Sequence, residues 1–247
     1  MSKRGQITLF VILGVIIIGA IALGLYFRQQ IVSTQTLKEV ALTSELPPDL
    51  ELLKEEIQAC ANTVSDEALY FVGQQGGYFL VPDNSIQVED TAIAYGVQKN
   101  VKTLVSEDAF RSEVGSYIEA FLPDCVDYSQ YGSFELFDQS PVTMVTLNDD
   151  NTNLEIDYKV TAQKGESAYN LFEPYEVVLP LKVKNVYEIS SKVADDIASN
   201  PEEFDIAHIL SYGMDVQLDN LGDDFLVINV RDREQENNYE FQFGVQL

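Results

Sequence analysis

Residues 141–162 read PVTMVTLNDDNTNLEIDYKVTA, and this stretch decides the fold class. Leu154, Ile156, Tyr158 and Val160 alternate with Glu155, Asp157 and Lys159. A period of two belongs to a half-buried strand and fits no helix. The polar run NDDNTN at 148–153 separates this strand from a first one over PVTMVTL, so the segment predicts a β-hairpin. YEVVLPLKV at 175–183 predicts a further strand. FLVINVRD and YEFQFGVQL, on either side of EQENN, predict a second hairpin that closes the chain.

The segments around these strands carry the helical period. After Pro47-Pro48, the residues Leu50, Leu53, Ile57, Cys60, Val64, Ala68 and Phe71 recur at spacings of three and four, with Gly73 as the expected stop. Ser106 is placed as an N-cap, with Glu107 and Asp108 complementing the helix dipole. Phe110, Val114, Tyr117, Ile118 and Phe121 then share one face until Pro123. A third helix is expected from about Val186 to Ala198, and Asn200-Pro201-Glu202-Glu203 has the composition of another helix start. Between the first two helices, GQQGGYFLVP at 73–82 predicts a turn into a short strand ended by Pro82, with one more short strand near IAYGV. This order predicts an α+β domain with antiparallel sheet and helices packed on one side.

Charge is divided unevenly along the 247 residues. Lys3, Arg4 and Arg28 are the only charges in 1–30, so the remaining 12 cations and 40 acids leave the body at −28. Nucleic-acid binding depends on clustered Lys and Arg, so an acidic body of this kind excludes it as a partner. Anionic headgroups would repel the body as well. The 46% apolar fraction, with 13 Phe and 13 Tyr, is ample for a folded core.

Residues 6–27 (QITLFVILGVIIIGAIALGLYF) have only Gln6 and Thr8 as polar side chains. As a helix they would span ~33 Å, enough for a hydrocarbon core of ~30 Å. An ordinary signal peptide has a shorter apolar region, and here Leu23, Leu25, Tyr26 and Phe27 continue past Ala20-x-Ala22. A retained single span is therefore expected. Lys3, Arg4 and the amino terminus outweigh Arg28 and predict a cytoplasmic N-terminus with the body outside. The bilayer is thus an expected partner of residues 6–27, with 28–46 as a stalk and 47–247 as the extracytoplasmic domain.

Lys3-Arg4-Gly5 followed by Gln6 and a β-branched-rich helix resembles the class III signal of archaeal pilins and related surface proteins. The resemblance implies a cytoplasmic leader of residues 1–5, cut between Gly5 and Gln6, with the hydrophobic helix kept on the product. Phe10 stands where bacterial type IV pilins usually carry an acid.

Two cysteines are present, Cys60 on the apolar stripe of the first helix and Cys125 just after the second. They read either as two buried thiols or as one disulfide. An outward-facing body selects the disulfide. Two cysteines in different elements and one distant histidine make no zinc site.

No catalytic constellation is found. His208 is the only histidine and lies in IAHILSYG without a G-x-S-x-G elbow anywhere in the chain. Asp149-x-Asn151-x-Asn153 echoes the start of a calcium loop, but Leu154 and Val160 replace its glycine and glutamate, and a hairpin turn explains the same residues. No cofactor-binding fingerprint occurs, so no metal or cofactor is expected. The turn Gly76-Gly77-Tyr78 is singled out as an interaction turn, since paired glycines admit a close backbone approach.

The span, the Cys-containing helix, the QGGY turn, the P-x-C after the second helix and the C-terminal Tyr-x-Phe-x-Phe strand together resemble uncharacterised single-span archaeal surface proteins. That resemblance implies a membrane-tethered exterior domain and brings no activity with it. The expectation is a non-enzymatic surface protein with a structural, adhesion or partner-binding role toward a surface or envelope protein. A pilin-like subunit that self-associates is the alternative, and an anchored or secreted hydrolase is third.

Overall fold

The computed structural model describes residues 46–200, 206–222, 224–232 and 239–247. The leader, the 6–27 span, the Gly5–Gln6 junction and all of the stalk except Leu46 lie outside the described residues. Among the described residues, no helix is long and apolar enough to cross a membrane.

The chain is an α+β fold. Helix α1 runs Pro48–Gln74, with proline in its first turn and Asp49 and Glu51 at its positive end. Its stripe Leu50, Leu53, Ile57, Cys60, Val64, Ala68 and Val72 is buried. Gly73 does not stop the helix. A Cβ there would sit 2.8 Å from the Glu240 carbonyl and the Tyr239 hydroxyl, so the glycine lets the last turn press against a strand. Helix α2 runs Glu107–Cys125, and Ser106 accepts from the Ala109 N–H as its N-cap. The expected break at Pro123 does not occur. Proline costs one intrahelical bond, and in the last turn that loss is small enough for α2 to continue to Cys125.

The expected hairpin forms from β5 (Val142–Leu147) and β6 (Thr152–Asp157), with Leu147 opposite Thr152. The longer strand expected to run on from 154 is divided. Tyr158 and Lys159 separate β6 from β7 (Val160–Lys164), and the two strands join different sheets. Strand β9 (Tyr175–Leu179) pairs with β6, while β4 (Glu135–Asp138), β7 and β8 (Ser167–Leu171) make a second three-stranded sheet.

The largest sheet contains β1 (Ser85–Val88), β2 (Thr91–Gln98), β3 (Val101–Lys102), β10 (Asp215–Asn220), β11 (Phe225–Arg231) and β12 (Glu240–Gln246). Its order is β1-β2-β12-β11-β10, with β3 on β2. The closing hairpin β11–β12 is as expected, but β12 also pairs in parallel with β2, which places the C-terminal strand inside the sheet. The strand expected at 78–82 is absent, and irregular backbone leads instead to β1.

Helix α3 (Val183–Ser199), the short α4 (Ile206–Leu210) and a 3-10 turn at Tyr128–Tyr131 complete the described elements, with residues 201–205 of the expected fourth helix outside them. Phe110 of α2 and Tyr187 of α3 both pack on Phe241 of β12, each with ring centroids 5.9 Å away. One core therefore joins helices and sheets around the C-terminal strand.

Candidate interaction surface

Cys60 and Cys125 are bonded, with Cα atoms 5.8 Å apart. At the other end of the same pair of helices, Phe71 of α1 meets Tyr117 of α2 at 5.1 Å. The two helices are therefore antiparallel, closed covalently at one end and by aromatic packing at the other.

The turn after α1 builds that aromatic end. Gly76 and Gly77 have φ of 76° and 89°, where side chains are strained. The Gly77 N–H donates to the Val72 carbonyl at 2.8 Å, closing the helix terminus. A Cβ on Gly77 would lie 2.3 Å from Val105, and one on Gly76 would lie 2.9 Å from Ala94. Both glycines are buried. Their effect is to turn the chain so that Tyr78 and Phe79 pack back on the core while Leu80 emerges.

Phe79 is fixed twice. Its N–H donates to the Glu113 carboxylate at 2.9 Å, and its ring lies 5.4 Å from Tyr117 and 5.8 Å from Phe121. Tyr117 and Phe121 are one helical turn apart with centroids at 4.6 Å. The result is a contiguous aromatic surface in which Phe71 is 38% and Phe121 43% exposed, and Leu80, the next residue after Phe79, is 76% exposed. The sequence places Phe71, Tyr117 and Phe121 on core faces. The structure leaves them at the rim, because the apolar stripe of each helix is wider than the contact between the two.

Exposed Glu67 lies one turn before Phe71, and its negative charge, with burial as the larger cause, raises the Tyr117 phenol above its ordinary range. Tyr78 is likewise raised by burial and by Glu113. The aromatic surface is thus edged by carboxylates.

A tyrosine and carboxylate network lies near the disulfide. Buried Tyr158 donates to Asp138 and accepts from Tyr128, each at 2.7 Å. Tyr131 donates to Glu56 at 2.7 Å, and burial together with that carboxylate pushes its phenol up to about 12. The network accounts for the break between β6 and β7, since the chain leaves one sheet at Tyr158 to bury that ring. A cavity of about 560 Å³ lies beside the first half of α1, lined by Leu46, Lys54, Gln58, Glu173 and Tyr175.

The remaining residues singled out from the sequence fall elsewhere. His208 is exposed and contacts Tyr212 at 3.1 Å, while Tyr212 donates to Asp196. Asp149 pairs with Lys184 at 2.7 Å and accepts from Asn185, tying the hairpin turn to α3. The Asn148 N–H and side chain bond Asn151, and Asn153 lies within β6. Among the described residues, no group of three or more His, Cys, Asp or Glu is placed to hold a metal ion.

No protein family, curated protein or solved structure matches this chain.

Proposed function

We propose that this chain is a single-span, membrane-tethered surface protein whose α+β domain lies outside the cytoplasm and acts by binding a partner. The observation that carries the reading is the Cys60–Cys125 disulfide, because such bonds persist in oxidising compartments and are rare in the cytosol. The apolar run 6–27, preceded by Lys3 and Arg4, supplies a span with the orientation that would expose the domain to that environment. The exposed aromatic surface beyond α1 supports a role in binding.

The test combines location with thiol state. Protein from the native source is separated into membrane and soluble fractions, treated with protease on intact cells, and alkylated after denaturation without reductant. Retention in the membrane, external cleavage and two unreactive cysteines are expected. A soluble protein whose two thiols both react would refute the reading.

The Lys3-Arg4-Gly5-Gln6 junction favours a second reading, a filament subunit processed before Gln6. Intact mass separates the two: a product starting at Gln6, recovered in sheared filaments, supports the filament, whereas an unprocessed membrane-retained chain supports the anchor.

A further inference from the structure

We infer that the surface formed by Phe71, Phe79, Leu80, Tyr117 and Phe121 is a docking site for a cationic amphipathic helix of another protein. The inference deepens the partner-binding reading and rests on it for the outward orientation of the site.

Exposure and preorganisation come first. Phe71 and Phe121 stand at the surface joined through Tyr117 and Phe79, and exposed Leu80 follows Phe79 in the chain, where isolated apolar residues would need no explanation. The positions of the aromatic side chains are already set. Phe79 is held by Glu113 through its backbone, the turn beneath it by two positive-φ glycines, and Phe121 by Tyr117 one turn away. A partner would therefore not have to order them, which removes one of the main costs of association. Aromatic residues held in this way are the usual energetic anchors of protein interfaces.

Shape argues for a helix. Phe71 projects from α1, and Tyr117 and Phe121 project from the antiparallel α2 at a spacing of four. Side chains at this spacing on two neighbouring helices form ridges that a third helix can meet with its own apolar stripe.

Charge decides among the occupants. Exposed Glu67 adjoins Phe71 and Tyr117, Glu113 lies beneath Phe79, and the body as a whole carries −28. A two-fold contact with a second copy would set this acidic edge against itself. An anionic lipid surface would be repelled in the same way. A helix with Lys or Arg beside its apolar stripe meets attraction both at the rim and at long range. The chain's own residues 1–45 join at Leu46, the opposite end of α1, roughly 35 Å from Phe71 at a rise of ~1.5 Å per residue.

The test uses the purified full chain in lipid nanodiscs and a displayed library of amphipathic helical peptides with randomised flanking charge. Enriched peptides should carry Lys or Arg beside an apolar stripe. Leu80→Asp and, separately, Phe121→Asp should each weaken them about tenfold or more. Glu67→Gln, which leaves the apolar surface intact, should weaken binding less and reduce its salt dependence. Enrichment without cationic bias, binding that ignores both Asp variants, or no enrichment at all overturns the proposal. So does a patch-dependent dimer of the full chain in sedimentation, or a synthetic 28–45 peptide that occupies the patch. Leu80 is in a loop and largely exposed, so its variant remains informative if Phe121→Asp is misfolded. Binding is read on purified protein, so its failure is separable from failure of the topology and thiol tests.

Discussion

Cys60 in the middle of α1 and Cys125 at the last position of α2 are joined by a disulfide across 65 residues of sequence. The bond ties the helix pair together at a point away from the Phe71–Tyr117 contact. In the chain-entropy view, closing a loop of this length stabilises the fold by about 4 kcal/mol. Reduction, or the double change Cys60→Ser and Cys125→Ser, should lower the urea midpoint by a corresponding amount. An unchanged midpoint would mean that the α1–α2 packing is sufficient without the bond.

Gly77→Ala should destabilise by about 2–4 kcal/mol, since it combines strain at positive φ with overpacking. Its Cβ would lie 2.3 Å from Val105, whereas Gly165, with φ of 62°, has nothing within 4 Å of the same position. Gly165→Ala should therefore cost only the backbone strain, about 1 kcal/mol. Equal losses in chemical denaturation would show that steric contact at Val105 is unimportant.

Two buried tyrosines should respond in opposite ways to loss of the hydroxyl. Tyr158 bonds both Tyr128 and Asp138, so Tyr158→Phe should cost about 1–3 kcal/mol. The Tyr239 hydroxyl is buried and makes no hydrogen bond among the described residues. Tyr239→Phe should be neutral or stabilising, by about 1 kcal/mol at most. Unfolding midpoints of the two variants measure the contrast.

Stability should fall at alkaline pH. Burial pushes the Tyr175 and Tyr187 phenols up to about 12, and burial plus Glu56 does the same to Tyr131. The native state thus keeps protons that the unfolded chain releases near its ordinary tyrosine value of about 10. The stabilisation from this difference is complete below that value and is lost as pH rises toward 12. Tyrosinate absorbance should rise together with loss of secondary structure in that window. Smooth titration of these tyrosines with the fold intact would contradict the assignment.

Much of the fold was legible where a local rule suffices. Ser106 is an N-cap because its hydroxyl reaches the Ala109 N–H, and the β5–β6 hairpin follows from alternation about a polar turn. The cysteines were legible as a disulfide only through the expected outward-facing body, since core-compatible positions suit two buried thiols equally well. Other features were less accessible. Pro123 reads as a break, yet proline in a final turn removes only one bond. β1, β3 and β4 have 4, 2 and 4 residues, too short to show a period. The signal for the aromatic surface was present but ambiguous, since Tyr117 and Phe121 share a stripe with Val114 and Ile118.

The local pattern of apolar and polar residues was enough to establish an α+β chain with a terminal hairpin, a Cys-bearing helix and an acidic body. Periodicity says which face of an element avoids water. It does not say how much of that face a neighbour will cover. That depends on contacts between distant segments: β12 enters the sheet beside β2, Tyr158 moves the chain from one sheet to another, and α2 lies against α1 with Cys125 on Cys60. Packing on β12 and α3 buries Phe110, while Phe121 on the same helix stays 43% exposed, because the neighbours of α2 cover less than the whole stripe it presents.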